Sequence, residues 1–128
     1  MKTLFVLLGI VISVGLSAMA ADAGSKKGKL RHVVAFKFKE SASKEDIKKV
    51  EDAFRGLKSK IPAIVGYEWG MNNSPEKLNR GTTHGFILTF NSEKDRDDYL
   101  VHPAHKEFGK LVGPLLDEVF VIDFWAQE

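Results

Sequence analysis

Five side chains in this sequence carry proton-transfer chemistry. Four are its histidines, His32, His84, His102 and His105, and the fifth is Tyr99. Three of them share one run, Tyr99-Leu100-Val101-His102-Pro103-Ala104-His105. An imidazole exchanges a proton near neutral pH. A tyrosine hydroxyl donates to a developing enolate or carbonyl oxygen. Together they suit acid/base work in a pocket, although the same residues could also serve as hydrogen-bonded core groups. A three-histidine metal site is the competing use. It lacks the spacing, since there is no H-x-x-x-H or H-E-x-x-H, and His102 and His105 are three apart with a proline between them. No metal and no cofactor is therefore expected, and a haem- or metal-linked role is the weakest reading. The chain has no cysteine, which excludes disulfides, thiolate metal sites and a cysteine nucleophile. It has no glycine-rich phosphate loop and no serine nucleophile elbow.

The elements that must position these groups follow from hydrophobic period. Residues 31–39 alternate, with His32, Val34, Phe36 and Phe38 on one face. Ser43 and Asp46 form a capping box, and Ile47, Val50, Phe54, Leu57 and Ile61 make one helical stripe up to Pro62. Residues 64–71 and 83–91 read as the second and third strands, and His84, Phe86, Leu88 and Phe90 share a face of the third. Ser92 caps a second helix. Pro103 disfavours a helical His102 and opens a fresh helical piece with Phe108 and Val112 on its apolar face. His102 itself reads best as a cap. Residues 119–125 are the last strand.

The order βαββαβ is the ferredoxin-like α+β pattern: a four-stranded antiparallel sheet with two helices on one face. Taking the first and third strands as parallel neighbours sets His32 beside His84. The second helix then brings back His105, so that His32, His84 and His105 converge in a pocket walled by Phe36, Phe86 and Phe108. The other sheet face carries Val33, Ala35, Ile87, Thr89, Phe120, Ile122 and Phe124. Such an apolar surface calls for a cover, and a second copy packed face to face gives a homodimeric α+β barrel.

At 128 residues there is room for one domain, and 44% hydrophobic with 28% charged residues is globular composition. A net charge of +2, evenly spread, gives no footprint for nucleic acid. Lys2, the apolar run from Leu4 to Leu16 and Ala18-Met19-Ala20 are the parts of a secretory signal cleaved after Ala20. The run is short for a membrane span of roughly 20 residues. The expected organisation is a signal over residues 1–20, a flexible lead-in over 21–30 and the domain over 31–128. The product is expected to be exported, periplasmic or secreted, with no stable membrane anchor after cleavage.

Several stretches resemble the stress-responsive A/B barrel (Dabb) domain family. They are His32-Val33-Val34-Ala35-Phe36-Lys37-Phe38, Gly66-Tyr67-Glu68-Trp69-Gly70, Thr83-His84 and, most specifically, Tyr99-x-x-His102-Pro103-x-His105 followed by Phe108. The resemblance spans residues 30–126 and implies a dimeric α+β barrel. Few family members have an assigned activity. One plant member is a polyketide cyclase that closes a ring by cofactor-free aldol condensation. Its catalytic tyrosine and histidine correspond to Tyr99 and His105, and its other pocket histidines resemble His32 and His84. The same residues recur in members with no known cyclase activity, and an exported chain is not expected to meet poly-β-keto thioesters. The resemblance thus implies an exported homodimer of uncharacterised activity with a small apolar pocket, or alternatively a cyclase-like acid/base enzyme acting on a small carbonyl or phenolic compound, with His105 as base and Tyr99 as acid or oxyanion donor.

Overall fold

The computed structural model describes residues 28–128. The signal expected over residues 1–20 and residues 21–27 of the expected lead-in lie outside them. The lead-in ends sooner than its composition suggests, because Leu30 is already the first strand residue and is 2% exposed. Strand β1 spans Leu30–Phe38, helix α1 Lys44–Lys60, β2 Gly66–Met71, β3 His84–Phe90, α2 Glu93–Val101 and α3 Pro103–Val112. A 3₁₀ turn, Gly113–Leu115, leads into β4, Leu116–Trp125. The sheet order is β2-β3-β1-β4, with every neighbouring pair antiparallel. This is the ferredoxin-like fold expected from the periodicity.

Each helix boundary has a local cause. The Ser43 hydroxyl accepts from the Asp46 N–H at 3.0 Å while the Asp46 carboxylate accepts from the Ser43 N–H, so two orphan donors of the first turn are satisfied. At the other end the Ile61 N–H still reaches the Leu57 carbonyl, and Pro62 extends the helix no further. The stripe of α1 buries Val50, Phe54 and Leu57 against the sheet. Phe54 is the hub of this core. Its ring lies 4.3 Å from Phe86, 4.6 Å from Phe108 and 5.9 Å from Phe36, centroid to centroid. It thus joins α1, α3 and both central strands. Phe54→Ala is expected to cost about 3–5 kcal/mol, a large share of the roughly 5–15 kcal/mol that holds a small domain together. A urea titration should show the midpoint falling sharply.

Strand direction corrects one expectation. β1 and β3 are antiparallel, with His32 opposite Leu88 and His84 opposite Phe36. The α1 crossover returns the chain parallel to β1, and the β2–β3 hairpin then reverses it. His32 and His84 therefore share the helix-covered face but sit four register positions apart, roughly 13 Å at the strand rise. They cannot converge in one pocket.

Candidate active site

The break between α2 and α3 builds the site. Pro103 has no N–H to give the Tyr99 carbonyl, and the His102 N–H takes that carbonyl instead, at 3.1 Å. The Ala104 N–H, which a continuous helix would send to Leu100, is claimed by the His102 side chain at 3.0 Å. His102 is thus the N-cap of α3, as its place before a proline suggested. The Leu100 carbonyl left over accepts from His105 Nδ1 at 3.1 Å. A carbonyl only accepts, so Nδ1 carries the proton and Nε2 of the neutral ring holds a lone pair.

This bond lays the His105 ring against Tyr99, with centroids 4.5 Å apart. Tyr99 is 1% exposed, and burial pushes its hydroxyl well above the ordinary tyrosine range. It is held as a donor. Burial also pulls His105 below its ordinary value, more than the Leu100 carbonyl raises it, and nearby His32 adds to the lowering. His105 is therefore held neutral, as an acceptor.

On the other side of Tyr99 stands His32, ring centroids 5.7 Å away. Its cross-strand partner on β4 is Asp123, and His32 Nδ1 donates to Asp123 Oδ1 at 2.7 Å. Arg96, from α2, grips Asp123 Oδ2 at 2.8 Å and Asp97 at 2.9 Å. These groups edge a cavity of about 720 Å³ between β1, β4, α2 and α3. Phe36, Phe54, Phe108 and Val112 form its apolar depth, and Val119 and Val121 of β4 form its open flank.

Tyr99, His105, His32, Phe36 and Phe108 therefore line one cavity. His84 and Phe86 do not line this cavity. Phe86 is core packing behind Phe54. His84 is a fully partnered histidine at the far end of the sheet. Its Nε2 donates to Glu51 at 2.8 Å, its Nδ1 pairs with the Thr83 hydroxyl at 2.7 Å, and its ring stacks on Trp69. Its role is to tie α1 to β3. Glu51→Ala would leave a side chain that is 3% exposed without its acceptor. The expected loss is about 1–3 kcal/mol, read by chemical denaturation. Asp123 and Arg96 were missed. A signal did exist, since Asp123 is the one acid in the apolar run Val119–Trp125 and its parity puts it on the helix-covered face. Among the described residues no group of three or more histidines and carboxylates is arranged to hold a metal ion.

The model of the stress responsive A/B barrel domain matches residues 30–126. The chain belongs to this family. Among its relatives, the A/B barrel domain is 37% identical over 98 residues to the stress-response A/B barrel domain-containing protein HS1 of Arabidopsis thaliana, covering 77% of this chain and 90% of that one. It is 26% identical over 95 residues to olivetolic acid cyclase of Cannabis sativa, covering 74% and 94%. Among solved structures it resembles the hydroxynitrile lyase of Passiflora edulis, with a TM-score of 0.74 and 25% identity over 79% of this chain and 95% of that one. Solved structures at lower identity share the A/B barrel domain's fold, and several are described as dimeric ferredoxin-like proteins of unknown function.

Proposed function

We propose that this A/B barrel domain takes a small, largely apolar carbonyl or phenolic compound into the cavity beside Tyr99 and moves a proton on it without a cofactor. One observation carries the reading. His105 is neutral, with Nδ1 engaged by the Leu100 carbonyl, and stands against a tyrosine held protonated by burial. His105 Nε2 takes the acidic proton of the ligand, and the Tyr99 hydroxyl donates to the oxygen where charge develops. That relatives at similar identity are named a cyclase and a hydroxynitrile lyase supports small-molecule chemistry without specifying the reaction. The test is α-proton exchange of aryl ketones in D₂O, beside thermal-shift binding of alkylphenols. Protein-dependent exchange that fades as His105 becomes protonated is the expected result. Absence of both exchange and binding across the panel would defeat the reading.

The functional unit is a homodimer in this proposal. Phe120, Ile122 and Phe124 are 60%, 47% and 47% exposed on the sheet face that no helix covers, and a second copy is their natural cover. Export is proposed as well, on Lys2, the apolar run and Ala18-x-Ala20. N-terminal sequencing of the native protein should begin near Ala21, and a sequence starting at Met1 would refute it.

A further inference from the structure

The two imidazoles that flank Tyr99 are held in the same tautomer by different devices. His105 Nδ1 donates to the Leu100 carbonyl, and His32 Nδ1 donates to Asp123. Neither Nε2 has a hydrogen-bond partner among the described residues, and both rings line the cavity. The polar end of the cavity thus offers two nitrogen lone pairs on either side of one hydroxyl donor. Its charged groups are Arg96, Asp97 and Asp123, one guanidinium for two carboxylates. Arg96 spends Nη1 on Asp123 and Nε on Asp97. An anionic ligand entering here meets an excess of negative charge and a cation already engaged.

From this arrangement we infer that the cavity selects neutral hydroxyl-bearing ligands, phenols or enols, whose O–H donates to His32 Nε2 or His105 Nε2, and that Asp123, clamped by Arg96, is the positioning residue that keeps His32 an acceptor. The inference rests on the proposed use of the cavity and narrows its ligand. A carboxylate ligand brings only acceptors to a site of acceptors. An ether brings no donor. A phenol satisfies a lone pair at His32 or His105 and can still accept from Tyr99. The clamp also explains why a carboxylate stands in an apolar strand. It matches the carboxylate–histidine pairs that set tautomer and ring orientation in other sites.

The test is the long-range ¹H–¹⁵N spectrum of the histidine side chains at mildly alkaline pH. His32 and His105 should both show a protonated Nδ1 and a bare Nε2. Adding para-propylphenol should shift at least one of these Nε2 resonances, with para-propylanisole and para-propylbenzoate binding about tenfold more weakly or less, the scale of one lost hydrogen bond. In Asp123→Asn, Arg96 claims the amide oxygen and turns the NH₂ toward His32. The proton should then move to His32 Nε2, phenol affinity should fall by about tenfold, and the His105 tautomer should stay as it is. A wild-type His32 protonated at Nε2 would overturn the positioning role, and benzoate bound as tightly as the phenol would overturn the ligand class. Both leave the proton-transfer reading standing. If no probe perturbs His32, Tyr99 or His105, the ligand cavity itself is refuted and the inference falls with it.

Discussion

Tyr99→Phe should leave the melting temperature within a few degrees of wild type while removing turnover of whichever carbonyl or phenolic compound the cavity accepts. The ring keeps its packing against Phe90 and His32. The hydroxyl is deleted without stranding a partner, because it makes no hydrogen bond to any described residue. His105→Ala removes a half-buried ring and frees the Leu100 carbonyl. That carbonyl lies at a helix break where water can replace the ring. Loss of a positioned acid or base costs about 10²–10⁴-fold in rate, so both variants should be nearly inactive and well folded.

The pH dependence of stability adds an independent mark. The folded pKa of His105 lies below its ordinary value near 6.5. As pH falls through that range the unfolded chain gains a proton that the native state refuses. The cost of this ring is absent above the ordinary value, grows as pH falls toward the lower folded value, and stays in full below it. His105→Ala should flatten this part of the stability curve, measured by thermal denaturation across a pH series. A fall of many degrees for both variants with ligand behaviour unchanged would assign the two residues to folding rather than function.

Ile122→Asp should abolish the proposed homodimer and leave a monomer at micromolar concentration, as read by light scattering or sedimentation. Apolar burial is worth roughly 25 cal/mol per Å² before association costs are subtracted. In a two-fold interface each substitution appears twice, so two unpaired carboxylates would have to be buried against the facing sheet. The dissociation constant should rise by about a thousandfold or more, equivalent to about 4 kcal/mol. The monomer's own fold should survive, since Ile122 is exposed on the side of β4 away from the helices. Its circular dichroism should match wild type. A wild-type protein that ran as a stable monomer would end the argument for the sheet face as an interface.

What was legible in the sequence was local. The Ser43–Asp46 box, the stripe from Val50 to Ile61, the cap at His102 and the fresh helix at Pro103 depend on contacts within a few residues, and each was readable from spacing. His84 was misplaced for a different reason. Alternation tells which face a residue occupies and says nothing of which end of the sheet it reaches. That depends on strand direction, which the hairpin between β2 and β3 reverses. Asp123 and Arg96 were invisible as a pair because they are 27 residues apart. Their meaning arises only from the register of β4 on β1, which sets Asp123 opposite His32, and from the reach of α2 across that register.

The interruption between α2 and α3 works as a small circuit of three backbone links. The proline ring withholds one donor, His102 diverts a second, and the carbonyl that remains dictates which nitrogen of His105 bears the proton. The reactive character of one imidazole is thus written into the main chain two to five residues before it. The run from Tyr99 to His105 therefore acts as a unit, because altering any one link redistributes the other two.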